Sequence, residues 1–154
     1  MNPVFAKLNY KAQPEIAVIN APDDFLPTMD EMRGATTIVT EPNQIQAGTF
    51  AIAFVKTQQE VDSISQQLAE KIQGDGLLWF AYPKGSSKKY KCDFNRDTGW
   101  ATLGQLGFEP VRMIAIDNDW SALRFRRAEY IKKMTRNEKG ALSEQGKAKV
   151  RGEV

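Results

Sequence analysis

Residues 77–82 read LLWFAY, an uninterrupted apolar run bounded by Gly76 on one side and Pro83 on the other. Six apolar residues in a row are too few for a buried helix, and they are typical of a strand that is covered on both faces in a parallel sheet. The run therefore predicts the central strand of an α/β fold, with helices packed on both sides of the sheet.

Three stretches upstream of this run have the β-branched and aromatic composition of strands: residues 15–21 (EIAVINA), 36–40 (TTIVT) and 50–56 (FAIAFVK). A helix is expected after the third, because Thr57 and Glu60 have the spacing of a capping box. Apolar residues then recur at helical spacing up to the glycines that end the pattern: Val61, Ile64, Leu68, Ile72, Gly74 and Gly76.

Downstream of the run, Asn95 is a candidate N-cap for a helix bearing apolar residues at Trp100, Leu103 and Leu106. Gly107 is expected to end that helix. Residues 111–117 and 121–127 then form two predicted strands. Because only a few residues separate them, these two strands must pair as an antiparallel hairpin.

The sequence thus predicts a Rossmann-like three-layer α/β sandwich. Its mixed sheet has six strands in the order 2-1-3-4-6-5, numbered along the chain, with strand six antiparallel to the others. We expect one domain over residues 1–131, followed by a basic tail over residues 132–154. A capping-box spacing at Thr135 and Glu138 predicts that part of this tail is helical.

The composition of the chain excludes several kinds of chemistry. Its 154 residues include no histidine and a single cysteine, Cys92, which removes imidazole catalysis, histidine-containing zinc sites and an internal disulfide. No metal ion is expected, and no stretch has the length of a membrane span. A lone cysteine and the absence of an export signal favour a cytoplasmic location.

The order of elements over residues 50–127 resembles the second half of a class I methyltransferase sheet. Within that resemblance, residues 15–21 occupy the place of the nucleotide-binding strand, which should lead into a glycine-rich turn. Residues 20–25 read NAPDDF and contain no glycine. Glu41 is the only acidic candidate to hold a ribose at the end of the next strand. We therefore expect no bound cofactor.

Four strings resemble, more specifically, a family of small bacterial proteins of unknown function. They are residues 20–22 (NAP), 83–90 (PKGSSKKY), 95–97 (NRD) and 117–126 (DNDWSALRFR). The resemblance runs along most of the chain, and the last string is its most specific part. It implies a truncated Rossmann-like fold and a bacterial, cytoplasmic setting, and it assigns no activity.

The same strings contain the candidate binding residues. Ligands of open parallel sheets usually bind beyond the carboxyl ends of the strands, where these residues are expected to converge. The candidates are Asn20, Pro22, Lys84, Ser86, Ser87, Lys88, Asn95, Arg96, Asp97, Asp117 and Trp120. Lysine and arginine charges with serine hydroxyls would suit a phosphate or carboxylate. The structural alternative is a solvated basic loop whose polar residues only cap a helix.

Several other residues have a structural interpretation that outweighs a functional one. Asp117 and Asp119 have metal-binding spacing, but Asp-Asn-Asp is also what a tight hairpin turn selects. Either carboxylate was an expected partner for Arg124 or Arg126, which share a strand face. Of the tryptophans, Trp79 and Trp100 are expected in the core and Trp120 at the rim of the binding groove, while Cys92 is expected to be inert.

Three functions follow from these observations. The leading hypothesis is a non-catalytic module whose sheet edge binds a small anionic ligand or a protein partner. The alternative is a degenerate methyltransferase-like enzyme, with Asp97 or Asp117 as base and Lys84 or Arg96 holding an anion. A third is an accessory factor that binds nucleic acid through the loop at residues 84–91 and the tail, which carries seven basic and three acidic residues.

Overall fold

A computed structural model describes residues 2–94 and 99–131, so the predicted tail lies outside the described residues. Six strands form one mixed sheet in the order β2-β1-β3-β4-β6-β5, as the sequence predicted. The strands are β1 (Glu15–Ile19), β2 (Thr37–Val39), β3 (Phe50–Phe54), β4 (Leu77–Pro83), β5 (Phe108–Ala115) and β6 (Trp120–Arg127). Strand β6 runs antiparallel to both of its neighbours, and the other pairs are parallel.

The run at residues 77–82 is confirmed as the centre of the sheet. Every residue of β4 is buried. The strand pairs with β3 on one side, with Ile52 opposite Trp79, and with β6 on the other, with Leu123 opposite Phe80. Burial on both faces explains why the run has no polar alternation.

Among the described residues, four α-helices cover the two faces of this sheet: α1 (Pro3–Lys7), α2 (Leu26–Met32), α3 (Gln58–Ala69) and α4 (Ala101–Gln105). Apolar residues of α1 and α2 share one core with Ile52 and Trp79. Residues of α3 and α4 share a second core with Phe80 and Phe125 on the opposite face. Short 3-10 helices lie at Asp23–Phe25, Pro42–Gln44 and Ala128–Tyr130. No helix among the described residues is long and apolar enough to cross a membrane.

Helix α1 was not predicted, although its start carries a clear local signal. The side chain of Asn2 accepts hydrogen bonds from the backbone of Val4 and Phe5, and Pro3 occupies the first turn. Phe5 and Leu8 are fully buried. The backbone carbonyl of Leu8 accepts a 3.0 Å hydrogen bond from Nε1 of Trp79, which fixes the amino-terminal segment to the central strand.

The helix after β3 confirms the capping box, whereas the next helix differs from its prediction. Thr57 and Glu60 form both reciprocal hydrogen bonds at the start of α3. The described part of α4 begins at Ala101, so Trp100 is its N-cap instead of an interior residue, and Asn95 lies outside the described residues. Trp100 is held there by packing on Phe125, at 5.2 Å between ring centroids.

Strand β5 also begins earlier than predicted, at Phe108, and includes Pro110. Proline cannot donate a ladder hydrogen bond, which is why the prediction began the strand after it. The pairing with β6 shifts register between Pro110 and Arg112. A bulge on an edge strand tolerates the missing donor, so the proline did not mark the boundary.

Candidate functional site

Two cavities lie at the carboxyl edge of the parallel strands. The larger, of about 700 Å³, lies against the loop that follows β4; its lining includes Lys84, Ser86, Ser87, Tyr90 and Lys91. The smaller, of about 300 Å³, lies where β1 and β3 end; its lining includes Asn20, Pro22, Asp23, Lys56 and Trp120. Tyr90 lines both cavities. The single groove expected from the sequence is therefore divided into two.

The loop after β4 is held by the turn that joins β5 to β6. The backbone N–H of Lys84 donates to the carbonyl of Asp119 at 2.8 Å. The Ser87 hydroxyl donates to Oδ1 of Asp119 at 2.8 Å and accepts from the N–H groups of Lys89 and Tyr90 at 3.2 and 3.0 Å. Loop and turn were expected at the same sheet edge, and these bonds connect them directly.

A second connection joins the same loop to the turn after β1. The Lys89 ammonium lies 2.6 Å from a carboxylate oxygen of Asp24, and this hydrogen bond raises the pKa of Lys89. The Lys89 and Lys56 ammonium groups lie 5.5 and 5.8 Å from the centre of the Tyr90 ring. Tyr90 is thus fixed between two cations where the cavities meet.

The described residues that line the larger cavity carry a net positive charge. These include the side chains of Lys84 and Lys91 and no carboxylate. Neither ammonium has a hydrogen-bonded or ion-paired partner within residues 2–94 and 99–131. Aromatic rings of Tyr82 and Phe94 form part of the same wall. Such a wall can hold an anionic group attached to an apolar or aromatic body.

The smaller cavity has a different character, because two carboxylates, Asp23 and Glu60, line it beside Lys56. The Glu60 carboxylate is already engaged, since its Oε1 accepts from the N–H groups of Lys56 and Thr57 at 2.8 and 3.1 Å. Asn20 adopts a left-handed backbone with φ +59° at the end of β1, a conformation that glycine would adopt without strain.

Trp120 was expected at the rim of the groove, and this expectation is wrong. It is the first residue of β6 and only 2% of its surface is exposed. Its ring packs on Phe54 and Tyr90 at centroid distances of 5.1 and 5.0 Å. The alternation of β6 turns it into the core, where it forms a wall of the smaller cavity. Trp79 and Trp100 are in the core as predicted.

Asp117 lies at this edge but lines neither cavity. Its Oδ1 accepts hydrogen bonds from the backbone N–H groups of Asp119 and Trp120 at 2.8 and 2.9 Å, which is the structural role of an aspartate in a tight turn. No cluster of metal-binding side chains occurs among the described residues. Lys88 is exposed and also lines neither cavity. Asn95, Arg96 and Asp97 lie outside the described residues.

The pairing expected for the β6 arginines is wrong as well. Arg126 forms a two-pronged ion pair with Asp75, with Nε and one terminal nitrogen 2.8 and 2.7 Å from the two carboxylate oxygens. Asp117 and Asp119 lie at the opposite end of β6 and are occupied by the turn and by Ser87. The ion pair is also why the pKa of Arg126 is raised.

Several residues of the site were not among the sequence candidates, among them Lys56, Tyr90, Lys91 and Asp119. Tyr90 ends the string at residues 83–90, and Lys56 is the last residue of the predicted strand at residues 50–56. Both therefore stand next to the sheet edge at which ligands usually bind. Lys91 was predicted only as part of the basic loop at residues 84–91, and Asp119 only as part of the Asp-Asn-Asp turn. Cys92 lines the larger cavity, and burial raises the pKa of its thiol, which opposes reactivity.

Several solved structures to which this chain is similar are described as methyltransferases. A SAM-dependent methyltransferase from Aquifex aeolicus matches 80% of this chain and 87% of its own with a TM-score of 0.54 at 10% identity. The N-methyltransferase NodS from Bradyrhizobium japonicum WM9 matches 82% of this chain and 97% of its own with a TM-score of 0.50 at 11% identity. No protein-family model and no curated protein sequence matches the chain. The similarity establishes the methyltransferase-like Rossmann fold.

The residues present do not fit S-adenosylmethionine, the cofactor that this fold implies. Side chains of Asn20, Pro22 and Asp23 line the cavity at the end of β1, where a cofactor would need bare backbone. Glu41, the candidate ribose ligand, is exposed and does not line that cavity.

Proposed function

We propose that this chain is a non-catalytic Rossmann-like module that binds a small anionic ligand in the larger cavity at the carboxyl edge of its sheet. The observation that carries the proposal is a pair of lysines, Lys84 and Lys91, that have no side-chain partner among the described residues and share a described lining without a carboxylate. Ligands of open parallel sheets usually bind at this edge, and a volume of about 700 Å³ is within the range of small-molecule sites.

The hydrogen bonds around Ser87 support the same proposal. They hold the loop after β4 against the β5–β6 turn before any ligand arrives, which lowers the entropy that binding must remove. The Ser86 hydroxyl, at the cavity wall, is left with no partner among the described residues and is available to a ligand oxygen. A loop that only connects two elements needs neither these hydrogen bonds nor a serine hydroxyl at the cavity wall.

The test is a titration of the full chain with inorganic phosphate, followed by calorimetry and by backbone amide shifts of residues 84–91. The proposal expects saturable shifts in this segment, and loss of them in Lys84→Ala combined with Lys91→Ala. Neither lysine has a side-chain partner in residues 2–94 and 99–131, so stability should change little. The matched control is Lys71→Ala with Lys88→Ala, which removes two lysines that line neither cavity. Absence of saturable shifts, or equal loss in the control, contradicts the proposal.

A degenerate methyltransferase-like enzyme is the second candidate, and the fold similarity favours it. Calorimetry with S-adenosylmethionine separates the two candidates. Our proposal expects no appreciable binding, because side chains occupy the turn after β1. A micromolar dissociation constant for S-adenosylmethionine, with amide shifts at Asn20, would contradict the non-catalytic proposal and favour the enzyme.

We further propose that the module belongs to the family of small bacterial proteins suggested by the strings at residues 83–90 and 117–126, and that it acts in the bacterial cytoplasm.

A protein segment is the other ligand class that this edge would accept. Pull-down from a bacterial lysate with the wild type and the double lysine variant tests it: a partner lost in the variant supports the shared site.

A further inference from the structure

A third cavity, of about 510 Å³, lies at the opposite edge of the sheet, where the parallel strands begin. Its wall contains Thr49, which precedes β3, and Leu77, the first residue of β4. Arg124 of β6, Lys11 of the segment after α1 and Asp75 are the charged residues of the described lining. Its other polar residues besides Thr49 are Asn9, Gln13 and Gln73. None of these residues lines either cavity at the carboxyl edge.

Two side chains of this cavity carry a buried polar atom without a hydrogen-bond partner. In the part of the chain that the structure describes, only four buried side-chain atoms lack one: Thr49 Oγ1, Arg124 Nε and the Nε1 atoms of Trp100 and Trp120. Buried polar groups are nearly always satisfied, so two at one cavity need an explanation. Arg124 Nε is a donor, and the Thr49 hydroxyl is free to donate. Both therefore lack the same thing, an acceptor.

The charges around Arg124 compensate its guanidinium only in part. Asp75, the acidic residue in the same wall, has both carboxylate oxygens engaged by Arg126. Burial lowers the pKa of Arg124, and the like charges of Arg126 and Arg112 lower it further, against the opposing effect of Asp75. A half-buried cation with like-charged neighbours destabilises the fold unless an anion offsets it.

We propose that this amino-edge cavity is a second binding site, for the phosphate or carboxylate group of a small molecule. Both donor atoms, Nε of Arg124 and Oγ1 of Thr49, are shielded in the ligand-free chain, so a small rotation of each side chain accompanies entry of the anion. Nε of Arg124 and the hydroxyl of Thr49 then donate hydrogen bonds to its oxygens, and the Lys11 ammonium adds a second positive charge. Guanidinium suits both groups because its parallel N–H donors match two oxygens at once. This site does not depend on the function proposed for the carboxyl edge.

The experiment follows the Nε–H resonance of Arg124 in the full isotope-labelled chain during titration with sodium phosphate and, separately, with sodium succinate. Sodium chloride keeps the ionic strength constant. A saturable shift is expected with at least one of the two anions, and the one that shifts it identifies the group. Arg124→Gln should weaken binding of that anion at least about tenfold, measured by calorimetry. No saturable shift with either anion overturns the proposal.

Two further variants distinguish direct contact with the anion from nonspecific electrostatic attraction. Arg112→Gln removes a nearby positive charge that does not line the cavity, and affinity should change less than about threefold. A loss of affinity as large as that of Arg124→Gln would show that the anion is attracted by diffuse charge, and would overturn the site.

Thr49→Val keeps the shape of the side chain and removes the hydroxyl that lacks a partner among the described residues. It should weaken the anion several-fold without lowering the urea midpoint of the ligand-free protein, and a lowered midpoint overturns the proposal.

The double variant Lys84→Ala with Lys91→Ala distinguishes this site from the one at the carboxyl edge. The Arg124 response should persist in it unchanged, even if the amide shifts of residues 84–91 are lost. Loss of the Arg124 response in this variant would mean that one anion effect spans both edges, which contradicts an independent second site.

Discussion

The hydroxyl of Ser87 donates a 2.8 Å hydrogen bond to Oδ1 of Asp119, a residue 32 positions further along the chain. The same oxygen of Ser87 accepts from the N–H groups of Lys89 and Tyr90. One hydroxyl thereby shapes the loop after β4 and attaches it to the β5–β6 turn. The geometry of the larger cavity depends on this relationship.

We expect Ser87→Ala to loosen that loop and to lower the free energy of unfolding by about 1 kcal/mol, since it removes one donor bond and two acceptor bonds at a part-buried site. Amide hydrogen exchange should accelerate at Lys89 and Tyr90. The matched control is Ser86→Ala, because Ser86 is exposed and makes no hydrogen bond to a described residue. Equal exchange rates in both variants would show that the loop is held by other contacts.

The capping box of α3 gives a second prediction. Thr57→Ala should lower the free energy of unfolding by about 1 kcal/mol, because it leaves the N–H of Glu60 without its acceptor at a helix end. Urea denaturation measures this effect, and Gln59→Ala, at an exposed position of the same helix, is the control. A Thr57→Ala midpoint equal to that of Gln59→Ala contradicts the prediction.

Cys92 gives a prediction about pH. Burial raises the pKa of its thiol, so the rate of alkylation by iodoacetamide should reach half its maximum at a higher pH in the folded protein than in urea. The unfolded thiol ionises first as the pH rises. The stability contributed by the neutral thiol is therefore complete below the unfolded pKa and is lost as the pH passes the folded pKa. Coincident pH profiles of alkylation in the folded and the unfolded protein would contradict a raised thiol pKa.

The boundary of the domain remains a prediction from the sequence. A chain that ends at Arg136 should unfold cooperatively near the midpoint of the full chain, because all six strands and four described helices lie before that residue. Circular dichroism during thermal unfolding measures the midpoint and the cooperativity of the transition in both chains. Loss of a cooperative transition would show that the tail packs on the body, and would weaken its assignment as an arm for nucleic acid.

Local sequence patterns predicted the sheet well because each depends on neighbours along the chain. The run at residues 77–82 identified the central strand, and the Thr57–Glu60 spacing identified the start of α3, since both patterns are satisfied within one element. Helix α1 was missed because it is short and is stabilised by long-range contacts, among them the bond from Trp79 to the carbonyl of Leu8.

The sequence by itself determined the order of the strands, and it placed Asn20, Lys84 and Asp117 at the carboxyl edge, because connection lengths and handedness leave few topologies for such a pattern. Only the tertiary structure decided which side chains are free there. Asp117 is engaged by its own turn, Trp120 points into the core, and Lys84 and Lys91 share a wall. Partner choice and side-chain direction arise from contacts between residues far apart in the chain, which no local pattern records.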